Sequence, residues 1–328
     1  MNLRVGLDIG GTKIAALAVD QAGNPRGSAV RPTDAATPDR LISGVVDIVD
    51  LVLQDAGLPR SALVSAGIGI PGQIEPVNGT VSHAVNLNLR EPYPLRATLQ
   101  EALGIPVVLE NDVRAAAWGA YHWACASESL KSLAYLSIGT GIAAGLILDG
   151  HLYRGAHGMA GEIGHIPMDS DGPRCSCGSF GCLEALAAGP AVAARAAESL
   201  RGSGLSTYEV YKLAATNPQA GRVVAQTAGY LSRAVLLLLM AYDVEKVVIG
   251  GGVSRAGEAF EQPLRQAMAD LRSHSPLVAS MMPDNKVVII SPDYNAGVMG
   301  AVYLAPDRSP EARQEDNEKR EDSRLLTV

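Results

Sequence analysis

Four potential metal ligands lie within one short segment of the sequence. They are one imidazole and three thiols, spaced as His165-x9-Cys175-x-Cys177-x4-Cys182. Cysteine sulfur and histidine nitrogen are the ligands that Zn²⁺ prefers, and four of them complete a tetrahedral shell. Because a complete shell leaves no open position for a substrate, the spacing predicts a structural zinc site. The alternative is a set of buried free thiols, which such dense spacing disfavours.

Two carboxylates flank these ligands, Glu162 on one side and Glu184 on the other. Neither is needed to complete the metal shell, so they either support the metal ligands, carry surface charge or bind something else. Carboxylates accept hydrogen bonds from vicinal hydroxyl groups. We therefore interpret the loop as one that presents Glu162, Glu184 and His165 to a polyhydroxyl ligand such as a sugar.

Glycine turns that could bind phosphate follow three apolar strands. The first, Asp8-Ile9-Gly10-Gly11-Thr12-Lys13, joins two predicted strands, so it is neither a Walker P-loop nor a Rossmann fingerprint. Its backbone N–H groups, the Thr12 hydroxyl and the Lys13 charge could bind an anion. Asp8 beside a phosphate would require a cation such as Mg²⁺ between them. A simple hairpin with glycine at positive φ is the alternative.

Two further turns favour nucleotide binding over simple hairpins. They are Gly139-Thr140-Gly141 and Gly250-Gly251-Gly252, each at the end of an apolar strand. A bound nucleotide needs several close approaches of backbone to phosphate and sugar, which glycine permits.

An acidic segment, Glu110-Asn111-Asp112, stands where a predicted strand runs into a predicted helix. Asn and Asp at this position commonly cap the helix. The functional interpretation is that Asp112 accepts a proton from a substrate hydroxyl while Asn111 orients the substrate. Phosphoryl transfer to an alcohol needs such a base, a metal ion and accurate positioning.

The elements that carry these residues repeat along the chain. Residues 3–20 are predicted as strand, glycine turn and strand, and residues 133–150 repeat that order. Leu7-x-Ile9-Gly10 matches Leu136-x-Ile138-Gly139 in sequence. The pattern predicts an α/β protein with an internally duplicated strand–turn–strand core.

The overall composition limits the possible partners. The chain has 328 residues, enough for about two domains, and a net charge of −7 that disfavours nucleic acid or anionic membrane as a partner. No uninterrupted apolar run approaches the length of about 20 residues that a membrane span needs. The first residues lack the apolar segment of a signal peptide. We therefore expect a cytoplasmic protein with reduced cysteines.

In these motifs the sequence resembles the ROK family of sugar kinases, from about residue 3 to residue 305. The resemblance rests on the glycine turns at 8–13 and 139–141, on Gly69-Ile70-Pro71-Gly72, Asn86-Leu87 and Glu110-Asn111-Asp112, and on two zinc-loop motifs. The latter are Gly155-x2-Gly158-x-Ala160-Gly161-Glu162-Ile163-Gly164-His165 and Cys175-x-Cys177-Gly178-x2-Gly181-Cys182-x-Glu184.

The resemblance implies an actin-like, ribonuclease-H-like fold of two α/β lobes, with ATP as phosphoryl donor, Mg²⁺ as cofactor and a sugar 6-hydroxyl as acceptor. It assigns Asp112 as the general base. It implies sugar contacts from Asn86, Asn111, Asp112, Glu162, His165 and Glu184. The implied nucleotide-binding residues are Asp8, Gly10, Gly11, Thr12, Lys13, Gly139, Thr140, Gly141, Gly251 and Gly252, the last two at the adenosine.

The predicted domain organisation follows from the same resemblance. A smaller lobe comprises residues 1–115 together with a C-terminal helix at about 295–305. A larger lobe comprises residues 116–294 and contains the zinc loop, residues 155–184. Residues 306–328 are rich in charge and are predicted to be a disordered tail.

The substrate is predicted to be a hexose, with glucose preferred over N-acetylmannosamine, N-acetylglucosamine and fructose. The zinc motif does not separate these sugars, and polyphosphate is an alternative donor. Val113-Arg114 and Asn88-Leu89 depart from the usual residues of the family, near the acceptor side. Family habit implies a homodimer or homotetramer. The alternative that is not an enzyme is a sugar-sensing repressor. We expect an enzyme instead, because the first strand begins within the first residues and the chain is acidic.

Overall fold

The computed structural model describes residues 1–200, 202 and 204–306, and within them the backbone forms two compact units. Unit 1 comprises Met1–Gly119 and the C-terminal segment that begins at Asn295. Unit 2 comprises Ala120–Tyr294. The predicted charged tail lies outside the described residues from position 307 onward.

Both units contain strands and helices. The strands are β1 Leu3–Ile9, β2 Lys13–Val19, β3 Pro25–Pro32, β4 Leu63–Ile70, β5 Gln73–Ile74, β6 Val81–Ser82, β7 Val107–Asn111, β8 Leu133–Ile138, β9 Ile142–Leu148, β10 His151–Tyr153, β11 Lys246–Gly250 and β12 Val287–Ile289. The α-helices are α1 Pro38–Ala56, α2 Leu95–Leu103, α3 Asp112–Cys125, α4 Leu183–Ala187, α5 Gly189–Ser199, α6 Thr207–Leu213, α7 Pro218–Tyr242, α8 Glu258–Ser273, α9 Pro276–Met281 and α10 Ala296–Leu304.

The sheet of unit 1 has the strand order β3-β2-β1-β4-β7. β1 pairs antiparallel with β2 and parallel with β4, and β4 pairs parallel with β7. The register places Asp8 opposite Gly69 and Gly69 opposite Glu110. Because the carboxyl ends of parallel strands meet at one edge of a sheet, the turns that follow β1, β4 and β7 lie together. α1 and α10 pack against this sheet.

The sheet of unit 2 has the same architecture, with the strand order β10-β9-β8-β11-β12. β8 pairs antiparallel with β9 and parallel with β11, and β11 pairs parallel with β12. The hairpin β8–β9 therefore corresponds to β1–β2, which confirms the internally duplicated strand–turn–strand core. Both sheets are buried, and their inner strands supply each unit's apolar core.

Helix α7 has the length and the apolar composition of a membrane span. Its most apolar window is 56% buried inside unit 2, where the helix packs against α4, α5, α6 and α8. The central helix of a folded domain meets the same criteria of length and composition, so one such helix is weak evidence for a membrane span. Asn217 caps its first turn and Pro218 occupies the first helical position, as typical helix starts do.

Candidate functional site

The four predicted zinc ligands converge in unit 2. One ligand atom from each of His165, Cys175, Cys177 and Cys182 lies within 4.8 Å of all the others. The Sγ of Cys175 is 3.6 Å from Nδ1 of His165, and the Sγ atoms of Cys177 and Cys182 are 3.7 Å apart. Normal zinc bond lengths give a tetrahedron with edges of about 3.5 Å between nitrogen and sulfur and about 3.8 Å between sulfurs. The four residues therefore fit a zinc ion.

The ionisation of these thiols also suits a cation. Burial, together with the neighbouring thiols of Cys177 and Cys175, raises the pKa of Cys182 to about 12. Burial also raises the pKa of Cys175, but hydrogen bonds with Cys177 and His165 outweigh this and bring it to about 6. Three crowded sulfurs do not all ionise at neutral pH without a positive charge among them. A zinc ion supplies that charge.

Two glycines place the segment before the zinc ligands directly against strand β9. The N–H of Ala144 donates a hydrogen bond of 2.8 Å to the carbonyl of Gly161. A Cβ at Gly161 would lie 1.8 Å from the carbonyl oxygen of Ala144, and one at Gly164 would lie 1.9 Å from that of Ile142. Only glycine allows this contact, which explains the Gly-x-x-Gly spacing. The segment leaves Glu162 exposed and leads directly into His165.

Glu184 links the zinc loop to the second glycine turn. It lies in the first turn of α4, and its Oε2 accepts a hydrogen bond of 3.0 Å from the N–H of Ile142. A Cβ at Gly141 would lie 2.4 Å from the same oxygen. The carboxylate predicted to bind sugar therefore contacts the turn predicted to bind phosphate.

The third glycine turn lies beside the second. Gly251 has a φ of +96°, and a Cβ there would lie 2.3 Å from the carbonyl oxygen of Ile138, the last residue of β8. A Cβ at Gly139 would lie 4.0 Å from the N of Gly252. Both Thr140 and Gly252 are exposed. Unit 2 thus brings together the two glycine turns, Glu184 and the zinc loop.

The first glycine turn lies in unit 1 and contacts Asn86. The N–H of Gly10 donates a hydrogen bond of 2.9 Å to the carbonyl of Lys13, which closes the turn between β1 and β2. A Cβ at Gly11 would lie 2.9 Å from the Cβ of Asn86, so the predicted phosphate and sugar residues are neighbours here too. Thr12, Lys13 and Asn86 are exposed.

Thr33 is a residue of this site that the sequence analysis missed. Its hydroxyl donates a hydrogen bond of 2.6 Å to the carbonyl of Gly10, and its N–H donates one of 3.1 Å to the carbonyl of Thr12. Both bonds hold the turn from the side of β3. A lone threonine after an unpredicted strand gives no signal in the sequence.

Asp8 and Asp112 interact electrostatically at the carboxyl edge of the unit 1 sheet. Burial and the charge of Asp112 raise the pKa of Asp8 to about 6, against the opposing influence of Lys13. A Cβ at Gly69 would lie 3.6 Å from the Cα of Asp112, so the strand next to Asp8 reaches the start of α3. The Asp8 carboxylate offers oxygen ligands of the kind that Mg²⁺ prefers, and a cation bound there would offset the repulsion between Asp8 and Asp112.

Asn111 caps helix α3, as the alternative interpretation of this segment predicts. Its Oδ1 accepts hydrogen bonds of 3.1 Å from the N–H of Val113 and 3.3 Å from that of Arg114. Its Nδ2 donates a bond of 3.3 Å to the carbonyl of Gly72. Asp112 is the first residue of α3, and its Oδ1 accepts a bond of 2.9 Å from the N–H of Val113. A capping role and a role in the site are compatible, because the cap fixes both side chains at the junction.

The comparisons with known proteins match this arrangement. The sequence pattern of the ROK family matches residues 4–308. A glucokinase of Halalkalibacterium halodurans is 35% identical over 278 residues, which cover 80% of this chain and 84% of the relative. An N-acetylmannosamine kinase of Citrobacter koseri is 36% identical over 302 residues, 91% of this chain and 97% of the relative.

A solved structure extends the match to the fold. The ROK glucokinase of Streptomyces griseus, in complex with glucose and AMPPNP, is 30% identical, with a TM-score of 0.77 over 93% of this chain and 99% of its own. The chain therefore belongs to the ROK family and has the actin-like fold of its sugar kinases. The matches place it among the enzymes of that family that phosphorylate sugars.

Proposed function

We propose that the protein transfers the γ-phosphoryl group of ATP to the 6-hydroxyl of a hexose, with glucose as the preferred acceptor. The observation that carries this proposal is the pair Asp8 and Asp112 at the sheet edge that also bears the first glycine turn. A base for a hydroxyl, a site for a cation and amides for phosphate oxygens are the three requirements of this reaction.

In the proposed reaction, Asp112 accepts the proton of the sugar hydroxyl while its oxygen attacks the γ-phosphorus. The new bond joins the sugar oxygen to phosphorus, and the bond from phosphorus to the bridging oxygen of ADP breaks. The products are a sugar 6-phosphate, ADP and a proton that passes from Asp112 to solvent. A carboxylate base placed near the hydroxyl supplies part of the rate enhancement, and positioning supplies much of the rest.

The other proposed residues bind and orient the two substrates. Backbone N–H groups of the first two glycine turns donate to phosphate oxygens, where charge accumulates during transfer. Mg²⁺, when bound, would neutralise phosphate charge, and Asp8 is the residue that would hold it. The proposed phosphate residues are Gly10, Gly11, Thr12, Lys13, Gly139, Thr140 and Gly141, with Gly251 and Gly252 at the adenosine. The proposed sugar residues are Asn86, Asn111, Asp112, Glu162, His165 and Glu184.

The zinc site has a structural role in this proposal. A zinc ion held by His165, Cys175, Cys177 and Cys182 would fix the loop that carries Glu162 and leads into Glu184. Because the four ligands fill a tetrahedral shell, the metal has no position for a substrate. Zinc therefore supplies rigidity, and the substrate hydroxyl groups bind the side chains around it.

A second candidate function is phosphorylation of N-acetylmannosamine. It is supported by the Citrobacter koseri relative, whose identity to this chain is similar to that of the glucokinase. The two sugars differ at the 2-position, where N-acetylmannosamine has an acetamido group in place of the hydroxyl and the opposite configuration. The residues proposed to bind the sugar offer carboxylates and amides that suit either group.

A spectrophotometric assay of sugar 6-phosphate formation over a panel of sugars tests the proposal. The panel contains glucose, fructose, mannose, N-acetylglucosamine and N-acetylmannosamine, with either ATP-Mg²⁺ or polyphosphate as donor. We expect kcat/KM for glucose and ATP to exceed the next value by about tenfold or more, as one well-bound hydroxyl group can achieve. Highest activity on N-acetylmannosamine would support the second candidate. Activity on none of the sugars would overturn both.

We further propose a cytoplasmic homodimer or homotetramer without nucleic acid or membrane partners. The negative net charge of −7 supports the absence of nucleic acid and membrane partners, because anionic polymers and anionic lipid surfaces repel such a protein. Sedimentation velocity measures the oligomeric state directly. A monomer at micromolar concentration would contradict the oligomer, and pelleting with anionic vesicles would contradict the absence of a membrane partner.

A further inference from the structure

A buried ion pair lies beside the proposed base. The Nε of Arg114 is 2.6 Å from Oε1 of Glu110, and the two side chains are only 6% and 4% exposed. A buried pair of this kind contributes little net stability, because desolvation of both charges offsets their attraction. Apolar residues of the same size could fill this space without lowering the free energy of unfolding. The pair therefore requires an explanation other than stability.

The position of the pair supplies that explanation. Glu110 is the penultimate residue of β7, and Arg114 is in the first turn of α3. The same Oε1 of Glu110 also accepts a hydrogen bond of 2.9 Å from the N–H of Asn111. The pair thus spans the strand-to-helix junction from both sides, with Asp112 between its two members.

We propose that Glu110 and Arg114 are positioning residues that fix the junction and thereby the carboxylate of Asp112. The inference rests on the proposed role of Asp112 as base. The planar guanidinium group of arginine holds one orientation against a carboxylate, which a lysine ammonium group does not. A loose junction would leave Asp112 chemically intact but displaced from the hydroxyl proton, and small displacements of a reacting group lower the rate severely.

An ion pair of the same sequence spacing, located within an α-helix, is a natural control. Glu261 and Arg265 also stand four residues apart, within α8 of unit 2, but their side chains are 35% and 45% exposed. Exposed pairs of this kind hold no neighbouring residue in place. An Arg265→Met change removes the same chemical group as Arg114→Met, in a place without a proposed role.

Steady-state kinetics of Arg114→Met test the proposal. We expect kcat to fall by about 10- to 100-fold while KM for sugar and ATP changes less than about threefold, because the sugar-binding residues outside the junction and all the proposed ATP-binding residues remain in place. Arg114→Lys should recover part of kcat, since it keeps the charge but not the planar group. Arg265→Met should match the wild type. Val49→Ala, at a fully buried position of α1, controls for a general loss of stability in unit 1.

Wild-type kcat in Arg114→Met would overturn the proposal. So would a loss of kcat no larger than in a Val49→Ala variant of equal melting temperature, or a rise in KM with unchanged kcat. If Arg114→Met does not fold, the double change Glu110→Gln/Arg114→Gln leaves no buried charge at the junction and is judged by the same outcomes. Asp112→Asn is measured in parallel. An active Asp112→Asn would refute the base itself, whereas an inactive Asp112→Asn with a normal Arg114→Met would refute only the positioning role.

Discussion

The raised pKa of Asp8 predicts that its ionised carboxylate lowers the free energy of unfolding of the protein. Burial and the charge of Asp112 raise its pKa from 3.8 to about 6, so the folded state binds a proton more readily than the unfolded chain. The stability associated with protonated Asp8 is therefore complete below the unfolded pKa and is lost as pH rises through the folded pKa. A shift of about two pKa units corresponds to about 3 kcal/mol. Because Asp8 keeps some contact with solvent, we expect about 2 kcal/mol.

The change Asp8→Asn removes this penalty without changing the shape of the side chain. We expect the variant to be more stable than the wild type by about 2 kcal/mol near pH 8, with the difference shrinking to zero near pH 4. Urea unfolding across this pH range, without Mg²⁺, measures the free energy of unfolding. Asp39→Asn, at an exposed position in the same unit, should show a difference below about 0.5 kcal/mol throughout. A variant less stable than the wild type near pH 8, or a difference independent of pH, would refute the reasoning.

Three further predictions concern unit 2. Elemental analysis should find about one zinc ion per chain. The Cys182→Ser variant should lose both the zinc and its affinity for sugar. Retention of zinc in that variant would show that Cys182 is not a zinc ligand. Gly161→Ala should destabilise the protein by about 3 kcal/mol or more, because its Cβ would lie 1.8 Å from a backbone oxygen of β9. The control is Gly229→Ala in α7, where no atom lies within 4 Å of the added Cβ, and this change should be neutral or slightly stabilising. Gly141→Ala should raise KM for ATP and sugar together, because its Cβ meets the carboxylate of Glu184 at 2.4 Å; a rise in neither constant would show that this contact is unimportant.

The glycine turns and the duplicated hairpins could be predicted from the sequence because each has a local signal. An apolar run, then glycines, then a second apolar run specifies strand, turn and strand without reference to the rest of the chain. The zinc ligands could be predicted for the same reason, since four potential metal ligands in one short segment are rare. The confirmed parts of the prediction, the family and the fold, rest on signals of this kind.

Two edge strands, β3 and β10, could not be predicted, because few of their residues are buried and burial is what produces the sequence pattern of a strand. β3 begins and ends with proline and has only one fully buried residue, Gly27. β10 has three residues, and none of them is buried. Their pairing with β2 and β9 depends on tertiary contacts, and no alternation of apolar residues in the sequence predicts it.

The ion pair between Glu110 and Arg114 could not be predicted from the sequence for a different reason. A glutamate four residues before an arginine predicts a pair only where both lie on one helix. Here the glutamate is on β7 and the arginine on α3, and the bend between the two elements brings them together. The contact of Glu184 with the second glycine turn is likewise a product of folding, since 42 residues separate its two partners.

The central claim is that Asp112 is the base for phosphoryl transfer to a sugar. The most direct test is Asp112→Asn, with kcat measured by ADP release and glucose affinity measured by calorimetry. We expect kcat to fall by about 10³-fold or more, since a positioned base contributes on the order of 10²- to 10⁴-fold, while glucose binds within about threefold of the wild-type affinity. Normal turnover accompanied by a loss of glucose affinity would contradict the claim, because Asp112 would then bind the sugar without accepting its proton.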